Sequence, residues 1–304
     1  MLTLRFSVTL TCSLLCSVFP SMAAGADATE DTGEITEITV SAQRVANTRP
    51  AGTYASVATT LRFDPLTELQ SRGLAEGQSD VTVRGGVFEN TGFKLGAGTV
   101  MDPQTGHYVA ELPVDPALLS TPAILQGIDG AVEGFNSAIA TVAYAIGPVT
   151  SGGEVTAGAG NEDLNYQSVR IGHEVRDGFA LAVSASRSAG DGTVAYGDHE
   201  FSRVNVQLQW IGEAVQTDLL VAYQDKFFGW PGAYTGFASL PETDDTQTTL
   251  LLFNQRREGK RGWFEYGAYY RNLEDDYDFN RLDFETGVPG SFEHETRVSA
   301  VGFQ

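Results

Sequence analysis

The chain has 304 residues, a net charge of −20 and 34 glycines. That acidity excludes nucleic-acid binding through phosphates, which needs a basic face. No run of about 18 apolar residues is present, so no transmembrane helix is expected, whereas a transmembrane β-barrel stays open because its strands alternate.

The start has the layout of a secretory signal. Arg5 supplies positive charge, residues 6–19 form a short apolar core, and Ser21-Met22-Ala23 is a small-x-small cleavage site. The alternative is a buried N-terminal helix. Cys12 and Cys16, the only two cysteines, fall inside this segment. The mature chain would then have no disulfide, thiol nucleophile or Cys-ligated metal. Leu15 before Cys16 fits a lipoprotein cleavage site poorly, so no lipid anchor is expected.

Residues 25–33 are small and acidic. Residues 34–44 (EITEITVSAQR) gain β propensity from Ile35, Ile38 and Val40. They are too short to fold alone, but such a segment can add itself as a strand to a partner sheet. Residues 47–60 read as loop, and Leu66 and Leu69 after Pro65 suggest a brief helix. Val81 and Val83 make a short strand that Gly85-Gly86 ends. A Gly-rich polar stretch leads to Asp102-Pro103-Gln104-Thr105-Gly106-His107-Tyr108 and a further extended run to Pro113. Residues 117–125 suggest a short helix and strand, and residues 139–149 are apolar and β-rich. Residues 50–150 thus form a small mixed α+β domain.

After Gly153 the pattern changes to β runs separated by turns. Val204, Val206, Leu208 and Trp210 alternate strictly with Arg203, Asn205, Gln207 and Gln209, the mark of a strand with two unlike faces. The same alternation sets Leu181 and Val183 against Ala182 and Ser184. It also sets Leu219, Val221 and Tyr223 against Asp218 and Gln224, and Phe264, Tyr266 and Tyr270 against Glu265 and Arg271. About eight strands are expected, near 153–160, 164–174, 178–187, 201–211, 215–224, 246–257, 262–272 and 294–304. Residues 175–178, 212–215 and 258–262 are short turns; residues 187–200, 225–245 and 273–293 are long polar loops. Short turns at one end and long loops at the other is the asymmetry of outer-membrane barrels. Trp210 and Trp263 sit beside short turns, where an interfacial aromatic girdle belongs.

In their order and spacing these segments resemble a TonB-dependent outer-membrane receptor of the cobalamin and siderophore type, over the N-terminal part of such a protein. Glu37, Ile38, Thr39, Val40, Ser41 and Ala42 look like the TonB box, the segment that pairs with TonB in the periplasm. Val81-Thr82-Val83-Arg84-Gly85-Gly86 resembles the strand and Arg-Gly turn of the plug, with Arg84, Gly85 and Gly86 in structural roles. Residues 102–108 with 111–113, residues 124–127 and residues 134–137 resemble later plug segments, and residues 227–234 an outer loop. Departures are Gln126-Gly127-Ile128 where Arg-Gly-Pro is common, and Ala140-Thr141 where Gly-Gly is common.

The resemblance implies a signal peptide at 1–23, a flexible segment with the TonB box at 24–49, a plug at 50–150 and the first part of an antiparallel transmembrane barrel at 151–304. An eight-stranded barrel is filled by its own side chains, and the family's barrels have about 22 strands, so the barrel is expected to be incomplete and the chain truncated. The implied function is energy-coupled uptake of a scarce small molecule or metal chelate, such as cobalamin or an iron siderophore, across the outer membrane of a Gram-negative bacterium. The implied ligand-binding tips of the plug are Phe88, Glu89, Asn90 and Thr91, and Gln104, Thr105, His107 and Tyr108. No catalytic residue, cofactor or metal ligand is expected. The sequence contains no P-loop, nucleophile elbow or His/Glu metal-helix motif. Asp244-Asp245 and Glu274-Asp275-Asp276 with Asp278 read as solvated acidic loops, calcium-ordered loops being the alternative. The competing reading of the whole is a secreted or surface β-sandwich adhesion protein; a secreted polysaccharide enzyme ranks third, lacking a placeable carboxylate pair.

Overall fold

The computed structural model describes residues 52–71, 76–237, 239–282 and 291–304. The expected signal sequence and the expected TonB-pairing segment at Glu37–Ala42 lie outside the described residues. No helix among them is long and apolar enough to cross a membrane.

The larger sheet holds eight antiparallel strands in chain order. They are β7 (Gly152–Ala159), β8 (Asn165–Arg176), β9 (Phe179–Gly190), β10 (His199–Ile211), β11 (Val215–Gly229), β12 (Thr243–Gly259), β13 (Gly262–Asp278) and β14 (Ser291–Phe303). β7 and β14 are its two edges. Every neighbour is joined by a direct connection, as alternating strands separated by turn residues dictate. Gly178 closes the β8–β9 turn with φ 71°, a left-handed conformation that suits glycine.

The strands run further than the sequence suggests. β11 and β12 extend to Gly229 and from Thr243, and stay paired there, Phe228 opposite Asp244 and Phe227 opposite Asp245. β13 carries Glu274, Asp275, Asp276 and Asp278 inside the ladder. The expected acidic loops are therefore strand ends. Asp244 and Asp275 are buried on the inner face, and only alternate members of the runs face out. Charged residues lower β propensity, but pairing on both sides overrides it. Among the described residues no group of three or more His, Cys, Asp or Glu is arranged to hold a metal ion.

The alternation of β10 is inverted relative to a soluble protein. Arg203, Asn205, Gln207 and Gln209 are buried, while Val204 is 49% exposed and Trp210 is exposed. β11 repeats this with buried Gln224 and Lys226 against exposed Leu219, Val221 and Tyr223. β12 and β13 do so with buried Asn254, Glu265 and Arg271 against exposed Leu251, Phe264 and Tyr266.

The N-terminal region covers the polar face of this sheet. It holds a two-stranded sheet of β1 (Thr67–Ser71) and β2 (Ser79–Val83), antiparallel with Leu69 opposite Val81. The expected helix after Pro65 is thus a strand. Asp64 accepts a hydrogen bond from the Leu66 amide at 2.8 Å, turning the chain into β1, and pairing with β2 outweighs local helix preference. A four-stranded sheet follows, in the order β4 (Gly98–Val100), β3 (Thr91–Leu95), β6 (Ala140–Tyr144), β5 (Ala123–Gln126). β3 and β6 are parallel, and a one-and-a-half-turn helix α1 (Ile128–Glu133) lies between β5 and β6. All five residues of β2 and of β3 are buried.

One core joins the two parts. Val57, Leu61, Val81, Phe93, Leu112, Val142 and Tyr144 pack in a cluster with Ala182, Leu220, Ala222, Leu250, Leu252 and Tyr269 of the sheet. Around it, inward polar side chains satisfy the irregular main chain of the N-terminal region. Asn205 donates to the Pro113 carbonyl at 2.7 Å and accepts from the Asp115 amide at 2.6 Å. Gln209 accepts from the Val149 amide at 2.8 Å, and Asn254 from the Ala97 amide at 3.0 Å. Tyr269 donates to the Thr99 carbonyl at 2.8 Å. Buried loop backbone needs such partners, and strands alone cannot supply them.

Candidate ligand-binding surface

The surface lies where the long connections of the sheet meet the tips of the N-terminal region. The β11–β12 connection, residues 230–242, is ordered from within by Glu242. Its fully buried carboxylate accepts from the Tyr234 amide at 2.9 Å, the Thr235 amide at 3.0 Å and the Tyr277 hydroxyl at 2.9 Å, and also from the Thr235 hydroxyl. This places Trp230, Tyr234 and Tyr277 edge to face, with ring centroids 5.0 Å apart for Trp230 and Tyr234 and 5.4 Å for Tyr234 and Tyr277. Such edge-to-face pairs each contribute about 0.5–1.5 kcal/mol beyond the area they bury. Behind them Tyr54, Phe201, Phe228 and Trp230 form a second buried cluster.

Two of the expected tip residues join this aromatic group. His107 stacks on Phe88 at 4.5 Å and 25°, and meets Tyr234 edge-on at 5.8 Å. The His107 ring is oriented by Asp80, whose Oδ1 lies 2.8 Å from Nδ1. Phe88, Glu89, Thr91, Gln104 and Thr105 line a cavity of about 240 Å³ beside it, together with Met101, Asp102 and Asn136. Asp102 shapes the 102–108 turn by accepting from the amides of Gln104 and Tyr108 at 3.1 and 3.0 Å. Gln104 also accepts from the Thr296 hydroxyl of β14 at 3.0 Å. Asn90 is exposed at the end of a single 3-10 turn and does not line this cavity.

Tyr108 stands apart from the rest. It is buried, and its hydroxyl donates to Asp244 at 2.9 Å. Burial raises its phenol above the usual tyrosine range, and the neighbouring Asp244 raises it further. Its geometry is that of an anchor between the N-terminal region and β12.

Arg84 and Gly85 both adopt left-handed φ, 53° and 68°, and turn the chain after β2. The Arg84 side chain is exposed, so its structural part is played by the backbone and not by side-chain packing. At Gly86 a Cβ would stand 2.1 Å from Ile139 Cδ1, the far end of a side chain that can turn away, and 3.1 Å from the Val83 carbonyl oxygen.

Sequence reasoning missed Asp80, Glu242 and Tyr277 as parts of this surface. Neither carboxylate stands out in the sequence. Their burial comes from residues far along the chain, which local pattern cannot report.

No protein-family model matches the chain, and no curated protein matches it. Solved structures do. The copper transporter OprC superposes with a TM-score of 0.65 at 14% identity, over 84% of this chain and 40% of that one. The FrpB iron transporter from Neisseria meningitidis gives 0.63 at 13% identity, over 85% and 44%. The alcaligin outer-membrane receptor FauA from Bordetella pertussis gives 0.53 at 15%, over 73% and 36%. The chain spans about two fifths of the length of the structures it matches. Its eight-stranded antiparallel sheet has the fold of the strand-built part of these outer-membrane transporters and receptors.

Proposed function

We propose that the chain is the N-terminal portion of a TonB-dependent outer-membrane receptor. In this reading residues 50–150 are the plug and residues 151–304 the first strands of the barrel. A signal peptide at 1–23 directs export, and Glu37–Ala42 pairs with TonB. The edges β7 and β14 are where further strands would close the barrel. The surface at Phe88, Gln104, Thr105 and His107 receives a scarce small molecule or metal chelate. Its binding alters the exposure of the TonB segment, and pulling on that segment remodels the plug.

The observation that carries this reading is the inverted alternation. A sheet that buries Arg203, Gln207, Lys226 and Arg271 while exposing Val204, Val221, Leu251 and Val301 suits hydrocarbon outside and a polar filling inside. The aromatic residues Phe179, Trp210, Trp263 and Phe264 gather at the short-turn end, as an interfacial girdle would. The adhesion-sandwich alternative calls for polar residues on the outer face, which is where the apolar ones are.

Membrane fractionation with gel migration before and after heating tests the proposal. The expected result is an outer-membrane product whose unheated form migrates differently from the heated one. A soluble product without heat-dependent migration would overturn it.

A further inference from the structure

We propose that Lys226 of β11 is a positioning residue that joins the 102–111 segment of the candidate ligand surface to the start of the described chain. The wall of the sheet, and not the N-terminal region alone, then carries the state of that surface toward the coupling segment. This rests on the uptake reading above. Lys226 Nζ holds two separate segments of the N-terminal region at one point. It donates to the Glu111 carboxylate and, at 2.8 Å, to the Glu76 carbonyl.

Each partner leads to a different end of the problem. The Glu111 amide donates to the Tyr108 carbonyl at 3.1 Å, and the Tyr108 amide donates to Asp102 at 3.0 Å. The Tyr108 main chain thus ties Glu111 to the turn that carries Gln104, Thr105 and His107. On the other side, Glu76 Oε1 accepts from the Thr53 amide at 3.2 Å, and a Cβ on Gly52 would stand 1.7 Å from the same oxygen. Gly52 and Thr53 are the first described residues, and they follow Glu37–Ala42 in the chain. Arg203 also bridges two segments, but between the carbonyls of Ala55 and Val114, outside both the 102–111 segment and the Thr53 contact.

Stability alone does not account for this junction. The Lys226 and Glu111 side chains are 1% and 8% exposed. Taking such a pair out of water costs about as much as its attraction returns, and an apolar pair of similar volume serves stability as well or better. What the pair supplies is one fixed arrangement. The rings of Phe201 and Phe228, with centroids 5.5 and 5.9 Å from Nζ, narrow it further. A shift of Glu111 therefore draws on Lys226, and Lys226 on the Glu76 main chain beside Thr53. Hydrogen-bonded chains of this kind carry coupling only if both ends bias them, which is a measurable condition.

The test uses the detergent-purified chain in a C12S/C16S background. Thr105, exposed on the ligand surface, is changed to cysteine (T105C) and labelled with N-(1-pyrenyl)maleimide, which stands for an occupied surface. Hydrogen exchange of the Thr53 amide is the readout, and exchange within β12 is the control for general loosening. Labelling should change Thr53 exchange by about 5–150-fold, the usual span of coupling between two sites. In K226M/E111M, whose apolar pair keeps the fold, the change should shrink to less than about twofold, the level of independent sites, with β12 exchange as in the parent. An unchanged response in that variant, or no response in the parent, would overturn the proposal. Fractionation of the same cells separates the two readings. An outer-membrane product whose response survives in K226M/E111M overturns the junction alone. A soluble product whose response is lost in that variant overturns the uptake reading alone.

Discussion

Lys226 is 1% exposed and pairs with the Glu111 carboxylate while donating to the Glu76 carbonyl at 2.8 Å. It also lies 5.5 Å from the Phe201 ring centroid. Arg203 and Arg271 are buried too and donate to the carbonyls of Ala55 and Tyr108 at 2.6 and 2.7 Å. Three cations of the sheet thus hold main chain of the N-terminal region, which a hydrophobic contact could not orient. Lys226→Met should destabilise by about 3–5 kcal/mol, because it leaves Glu111 buried without its partner. The double change Lys226→Met with Glu111→Met should recover most of that loss, as read from denaturation midpoints. Equal loss in both variants would show that the pair has no special part. The buried phenols make a second residue-scale prediction. Burial raises Tyr54 to about 12, the nearby Arg203 partly opposing it, and raises Tyr144 and Tyr108 as well. A raised folded value means that stability is complete below about pH 10, the unfolded tyrosine value. It is then lost as pH climbs through the folded values. An alkaline titration followed by phenolate absorbance should show these tyrosines ionising late and together with unfolding.

Over their middle stretches β10 to β13 present apolar side chains such as Val204, Val221, Leu251 and Tyr266 to the surroundings, while the inner face mixes buried polar residues with the apolar Leu220, Leu250 and Leu252. Val204→Arg should therefore cost about 2–4 kcal/mol if its site lies near the bilayer midplane. Assembly into lipid vesicles measures this, and a soluble sandwich would instead tolerate or welcome the charge. Gly302 of β14 marks a different constraint, since a Cβ there would stand 1.9 Å from the Ala97 carbonyl oxygen. Gly302→Ala should push β14 away from the 96–98 turn and lower the melting temperature, whereas Gly212→Ala, in an open short turn, should not. The alternation, the eight strands and their short turns were legible from residues 153–304, because period two is a local property. Which face turned inward was not, because the same pattern serves a soluble sheet until something polar fills its inner side. The strand ends at Asp244 and Asp275 were also hidden, since their burial comes from Tyr108, Gln104 and His294, far away in sequence. At the candidate surface, Phe88 and His107 were legible through their segment's resemblance. Asp80 and Glu242, which orient His107 and Tyr234, were not, since both act through contacts between remote segments.

At the scale of the molecule, the N-terminal region is both packed into the sheet and hydrogen-bonded to it. As the plug of the proposed receptor, this region would need a handle that transmits force without disturbing the ligand surface. The sequence offers one at Glu37–Ala42, whose β propensity suits strand addition to a partner sheet. In strand addition the main chain makes the hydrogen bonds, so most side-chain changes should be mild. Proline is the exception, because it removes a donor and fixes φ. Ile38→Pro should therefore abolish energy-coupled uptake of the cargo by cells while leaving its binding to purified protein unchanged. The two readouts separate coupling from recognition. Loss of binding in step with uptake would mean that Ile38 supports the fold or the ligand surface, and the coupling segment would have to be sought elsewhere in the chain.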